Sequence, residues 1–238
     1  MRFYTNVQMV GDNFLVRGYE DGKHFATREK FYPTLFVDSK RKTKYKTLDG
    51  LPVEPIEPGT VRDCREFIKK YNDVENFNVY GNERFIYQYI SSKYPETELK
   101  FDIEQIKLTT IDIEVKSEYG FPDVESCAEE ILLITLQDYT TKQIRTWGLG
   151  AFNNKQENVI YKSFRTEYEL LTDFINWWMI EDNTPEVITG WNSKLYDIPY
   201  LCRRIDRILG EKLKKRMSPW GLVTEEETFI AGRKHISY

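Results

Sequence analysis

Cysteine and histidine are scarce in this chain. Its 238 residues hold three cysteines, Cys64, Cys127 and Cys202, and two histidines, His24 and His235. No two cysteines form a CxxC pair. A disulfide framework or a structural zinc is therefore not expected, and a reducing cytosol fits the composition. Long apolar runs are also missing. None approaches the roughly 20 residues that a membrane helix needs, so no membrane partner is expected. The opening MRFYTNVQMV has no basic segment followed by an apolar one and does not read as a secretory signal. Internal repeats and low-complexity tracts are absent. Neither sign of charge dominates: 34 Lys and Arg stand against 38 Asp and Glu, a net charge of −4. That balance argues against a uniformly basic nucleic-acid coat but allows a local basic path.

What the chain does have is apolar and aromatic residues, 40% and 15% of the total, enough for one large or two modest domains of a soluble protein. The first third reads as strands and turns. FYTNVQMV and NFLVRGYE flank Gly11-Asp12, and KHFATREKFY follows a second turn at Asp21-Gly22. TLFVD follows Pro33, SKRKTK reads as a basic surface loop, and the proline-rich LPVEPIEPG reads as extended chain. A helix is expected from Thr60, with Cys64, Phe67, Ile68 and Tyr71 on one face. A second covers NERFIYQYISSKY and stops at Pro95. These residues predict a small α+β unit with one curled antiparallel sheet.

The texture changes near residue 105. IKLTTIDIEV, ILLITLQDY, KQIRTWGLG and ENVIYKSF read as successive strands. Thr166 opens a helix with a Thr-x-x-Glu capping box to Glu169, and Leu171, Phe174, Ile175 and Trp178 form its buried stripe. EVITGWN is a short buried strand ending in a turn. Asp197 starts the next helix, as its N-cap, with Leu201, Cys202, Ile205, Ile208 and Leu209 on one face and Gly210 as its stop. The pattern predicts a mixed sheet with helices packed on it, and two domains, 1–105 and 106–238.

Asp112-Ile113-Glu114 lies in the first strand of the second domain. Side chains two apart on a strand share a face, so the two carboxylates project together while Ile111, Ile113 and Val115 face the other way. Adjacent carboxylates repel one another and resist burial, which a hard divalent cation such as Mg²⁺ or Mn²⁺ relieves. Two such ions on a carboxylate cluster hydrolyse phosphodiesters. The competing explanation is an edge strand with solvated acids. A second Asp-Ile-Glu, at Asp102 and Glu104, lacks the apolar lead-in and is assigned that solvated role. Asn192 and Asp197 bracket a loop between a buried strand and a helix, where ligands of open α/β sheets gather.

Together these segments resemble the family B replicative DNA polymerases of the T-even phage type. Asp112-Ile-Glu114 is similar to their first exonuclease motif, and TGWNSKLYD to the second, with Tyr196 in a place that Phe commonly fills. FPD at Phe121–Asp123, IPYLCRRI after Asp197, the opening FYTNV, YPTLFV and SPWGLV extend the likeness along the chain. The resemblance implies an OB-like or RNA-binding-like N-terminal domain followed by an RNase H-like 3′–5′ exonuclease domain that proofreads during DNA replication. It makes Asp112, Glu114 and Asp197 the metal ligands and catalytic acids of a two-metal Mg²⁺ or Mn²⁺ site. Asn192 would position the scissile strand, Phe121 would touch its terminal bases, and residues 217–238 would enter a strand-parting β-hairpin. The implied partners are a single-stranded DNA 3′ end or primer-template, in the cytoplasm of an infected bacterium. The family's third exonuclease motif and its polymerase motifs have no counterpart in these 238 residues. The exonuclease domain is therefore expected to be incomplete, and the isolated chain inactive or weak.

Two alternatives follow from the residues. The chain is a non-catalytic single-strand DNA or RNA module, with Tyr4, Phe14, Tyr19 and Phe36 as stacking surfaces. Its phosphate contacts would be loop Lys40–Lys44 and the cations Arg203, Arg204, Arg207, Lys212, Lys214, Lys215 and Arg216. Or it is one subunit of a split polymerase whose second polypeptide supplies the missing motifs.

Overall fold

The computed structural model describes residues 1–81, 83–95, 100–118, 120–224 and 229–237. The chain divides into two compact units, Met1–Phe101 and Asp102–Tyr238.

Unit 1 opens with three long antiparallel strands, β1 (Arg2–Val10), β2 (Asn13–Glu20) and β3 (Lys23–Lys30). The second hairpin turns on Asp21 and Gly22, both at positive φ (50° and 77°), as a two-residue turn matched to the strand twist requires. A second sheet follows rather than a continuation of the first. It contains β4 (Leu35–Asp38), β5 (Tyr45–Lys46), β6 (Pro52–Ile56) and β7 (Val79–Tyr80), ordered β5-β6-β4-β7. The expectation of one curled sheet is corrected to two, because among the described residues no strand of one group pairs with the other. Helix α1 (Val61–Tyr71) is capped by Thr60, whose hydroxyl accepts from Asp63 N–H while the Asp63 carboxylate accepts from Thr60 N–H. Helix α2 (Phe85–Lys93) begins after Asn82, which lies outside the described residues. Phe14, Val16, Leu35, Val61, Cys64, Phe85 and Tyr89 form the core. Phe14 stacks on Tyr89 with centroids 4.7 Å apart. Phe14 and Tyr19 are thus buried and offer no stacking surface to a ligand, since aromatic area in this unit goes first to the core.

Unit 2 is built on a six-stranded sheet ordered β11-β10-β9-β8-β12-β15, from β8 (Leu108–Val115), β9 (Ile131–Asp138), β10 (Ile144–Leu149), β11 (Val159–Phe164), β12 (Val187–Gly190) and β15 (Lys234–Ser237). β8, β9 and β10 are antiparallel, whereas β11, β12 and β15 join in parallel. Helix α3 (Glu167–Trp178) has the expected reciprocal box between Thr166 and Glu169. Its stripe of Leu171, Phe174, Ile175 and Trp178 is fully buried on Ile111, Ile134 and Trp147. Helix α4 (Asp197–Leu209) packs Ile198, Leu201, Cys202 and Ile205 into the same core and ends at Gly210, φ 89°. α5 (Glu211–Lys214) follows, and β13 (Val223–Thr224) pairs antiparallel with β14 (Phe229–Ile230). Residues 225–228 and 238, within the segment expected to enter a strand-parting hairpin, lie outside the described residues, as do 96–99 of the charged stretch before Asp102. No described helix is long and apolar enough to cross a membrane.

A buried ion pair fixes α4 to the rest of the unit. Arg204 binds Glu167 bidentately, at 2.7 and 2.6 Å, and donates to the carbonyls of Cys127 and Ala128. Glu167 in turn accepts the N–H of Ile131 at the start of β9. Both charges are fully hydrogen-bonded, the condition under which a buried pair is tolerated.

Candidate nuclease site

β8 alternates as its sequence demands. Ile111 and Ile113 are buried against the helices, while Asp112 and Glu114 face out. The pairing of β12 with β8 stops at Thr189 and Thr110, because the chain turns at Gly190. A side chain there would meet the Ile111 carbonyl at 2.6 Å, so only glycine lets the turn approach β8 so closely. The loop that follows brings Asp197 onto β8. One oxygen of its carboxylate accepts the N–H of Ile113 at 3.0 Å. Asp197 therefore sits on the backbone between Asp112 and Glu114, although 84 residues separate it from Ile113.

This placement corrects one expectation. Asp197 is the first residue of α4 rather than its cap; the cap position is Tyr196, which makes no side-chain capping bond. The carboxylate serves the strand instead of its own helix. It is also nearly buried. Burial first, then the negative charges of Asp112 and Glu114, push its pKa up to about 6 against the pull of the Ile113 hydrogen bond.

The three carboxylates line one cleft of about 530 Å³, together with Asn192, Trp191, Tyr196 and Phe121. Among the described residues no group of three or more His, Cys, Asp and Glu side chains is arranged to hold a metal ion as it stands. Asn192 holds a left-handed backbone, φ 49°, which asparagine tolerates. Its carbonyl accepts the N–H groups of Leu195 and Tyr196. The Phe121 ring is 80% exposed and lies 4.7 Å from the ring of Tyr196. Trp191 is 76% exposed. Sequence reasoning passed over Trp191, although a tryptophan directly after a buried strand and beside Asn192 was its signal. Asp123 of the FPD segment turns away and accepts the N–H of Ser126.

None of the cations read as phosphate contacts lines the cleft. Arg203 donates to the Val124 carbonyl and pairs with Glu125. Arg207 donates to the Ser126 carbonyl. Lys214 is buried, with its ammonium 2.6 Å from the carboxylate of Asp206. Lys215 pairs with Glu211 on the surface. Arg203 and Arg207 thus tie α4 to the turn at 123–127.

Known proteins resemble this chain over most of its length. The family model described as "DNA polymerase family B, exonuclease domain" matches residues 61–236. The chain is 31% identical to a DNA-directed DNA polymerase of Escherichia phage RB69 over 91% of its length, and 30% identical to that of Enterobacteria phage T4 over 93%. It spans 27% of the length of each of these two relatives. A DNA polymerase catalytic subunit of human herpesvirus 6A is 35% identical over 42% of the chain and 10% of that relative.

Proposed function

Because the chain belongs to the exonuclease-domain family of the family B DNA polymerases, we propose that residues 102–238 form an RNase H-like 3′–5′ exonuclease site that removes mismatched nucleotides from a primer end during phage DNA replication. Unit 1 would be an OB-like or RNA-binding-like domain. The observation that carries this reading is the meeting of three acids from two distant elements in one cleft, with Asp197 hydrogen-bonded to the strand between the other two.

The residues suit a hard divalent cation. All three side chains are oxygen donors, and a nearly buried carboxylate beside two others is an arrangement that a cation relieves. Asp112, Glu114 and Asp197 would hold it. Mg²⁺ or Mn²⁺ there would supply an activated water and charge stabilisation at the leaving 3′ oxygen. The chain's own part is orientation. The Ile113 N–H fixes Asp197. Asn192 would position the phosphodiester at the cleft. Phe121, Tyr196 and Trp191 offer faces for unpaired terminal bases, which stack on aromatics with little regard to sequence. The substrate would be the single-stranded 3′ end of DNA, in the cytoplasm of an infected bacterium. DNA synthesis by the longer relatives is not assigned to these residues; a second polypeptide restoring synthesis and excision on mixing would show a split enzyme.

Mn²⁺ titration followed by electron paramagnetic resonance tests the reading. Saturable binding is expected, weakened at least about tenfold by Asp112→Asn or Glu114→Gln, since losing a ligand costs no less than losing a group that supports one. Unchanged binding in both variants would refute it.

A second reading has its own observation in unit 1. Lys40, Arg41, Lys42, Lys44 and Lys46 make no ion pair among the described residues. Of these, Lys46 lines a hollow of about 430 Å³ walled by Phe36, Tyr45 and Tyr80, and the Lys44 ammonium lies 4.9 Å from the centroid of the Tyr45 ring. Cations beside aromatic rings suit a single strand of DNA or RNA. Salt-dependent oligonucleotide binding that survives Asp112→Asn but falls with Tyr45→Ala would support it.

A further inference from the structure

The loop between β12 and α4 carries Asn192 and leads into Asp197, yet it lies mostly in solvent. Of its six residues, 191–196, only Ser193 is fully buried. The Ser193 hydroxyl donates to the Gly190 carbonyl at 3.2 Å and lies 2.9 Å from Nε2 of His235 on β15. The Ser193 carbonyl accepts the N–H of Ile198, the residue after Asp197, at 3.0 Å. One residue thus joins the end of β12, the edge strand β15 and the first turn of α4. His235 is delivered by the sheet, opposite Ile188 in the parallel pairing of β12 and β15, and so is a firmer reference than the loop itself.

We propose that Ser193 and His235 are a positioning pair that sets the loop so that Asn192 and Asp197 face Asp112 and Glu114. The purpose of the pair rests on the nuclease reading; its existence does not. A Ser–His hydrolytic dyad is the competing explanation, and the geometry excludes it. Ser193 has no surface for a substrate to reach. Among the described residues no carboxylate orients His235; burial and then Lys194 hold its imidazole below the ordinary histidine value, which leaves it neutral near pH 7. A serine hydroxyl has one proton. When Gly190 takes it, Nε2 of His235 must carry the hydrogen that closes the contact. A glutamine side chain has an N–H of similar reach, so His235→Gln should restore what His235→Ala removes.

The full chain is compared with Ser193→Ala, His235→Ala, their double variant and His235→Gln, with urea unfolding to confirm the fold. Two properties are read: amide hydrogen exchange over residues 192–198, and Mn²⁺ affinity by paramagnetic resonance. Each single alanine variant should lose protection at Tyr196 and Ile198 and bind Mn²⁺ about tenfold more weakly, the lower end for supports of metal ligands. The double variant should be no worse than either single one, since both remove the same contact. His235→Gln should recover most of the loss. Folded single variants with parental exchange and affinity, or losses that multiply in the double variant, overturn the pair. If His235→Ala does not fold, Ser193→Ala and His235→Gln decide the matter, because they preserve the packing. A parent chain that binds no Mn²⁺ refutes the nuclease reading. The exchange measurement then judges the pair alone: lost protection supports it and unchanged protection overturns it.

Discussion

The tripeptide Asp-Ile-Glu occurs twice in unit 2, at 102–104 and at 112–114, and the two copies meet opposite fates. In the first, the chain makes a single tight helical turn. The Asp102 carboxylate accepts the N–H of Glu104 and the side-chain amide of Gln105, and Ile103 is 46% exposed. In the second, Ile113 is buried and its N–H is taken by Asp197, leaving Asp112 and Glu114 facing the cleft. Identical residues become a local cap in one place and a candidate metal site in the other. The isoleucine decides between them. Where it has a core to enter, it holds the strand that aims both acids one way; where it has none, the aspartate turns back on its own backbone.

That contrast can be broken or sharpened by substitution. Ile113→Ala should destabilise the chain by about 2–5 kcal/mol, as deletion of buried aliphatic groups does, whereas Ile103→Ala should stay within about 0.5 kcal/mol. Urea midpoints would measure both, and equal shifts would remove the distinction. The acids should separate by function. Asp112→Asn should weaken Mn²⁺ binding at least about tenfold, and Asp102→Asn should leave it unchanged. A smaller effect is expected at Asp197. In metal-free buffer at neutral pH, Asp197→Asn keeps an acceptor for Ile113 N–H and removes a charge from beside Asp112 and Glu114, so it should raise the urea midpoint. The sign follows from linkage: a carboxyl whose folded pKa is raised to about 6 penalises folding above that pH and not below the unfolded value. The advantage of the Asp197→Asn variant over the parent should therefore shrink as pH falls from 6 towards 4. A gain that grew on acidification would contradict the burial of this group. Asp102→Ala should lower stability by about 1 kcal/mol, as the loss of one local cap does.

Much of unit 2 was legible in the sequence, because its signals are local. The alternation of β8, the Thr166 box of α3 and the Gly210 stop of α4 each depend on residues a few positions apart, and each appears in the structure. What escaped depends on distant partners. Asp197 looked like a cap because nothing nearby reveals that the Ile113 N–H, 84 residues away, would claim its carboxylate. The cations of α4 looked free because their partners are carbonyls and acids of the 123–128 turn and α3. In unit 1, hairpin turns were readable at Asp21-Gly22, but the break between two sheets was not, since strand chemistry is alike on both sides of it. For the site, Asp112 and Glu114 stood out by spacing, and Asp197 and Asn192 by resemblance to the family's second motif, whereas Ser193 and His235 meet only through the pairing of β12 with β15.

The most direct measurement is crystallographic. Crystals of the chain soaked in Mn²⁺ should show an anomalous peak bounded by the carboxylates of Asp112, Glu114 and Asp197, absent from crystals of Asp112→Asn. No peak at that cleft under saturating Mn²⁺, or one that persists unchanged in the variant, would contradict the assignment of these three acids to a metal-dependent nuclease site.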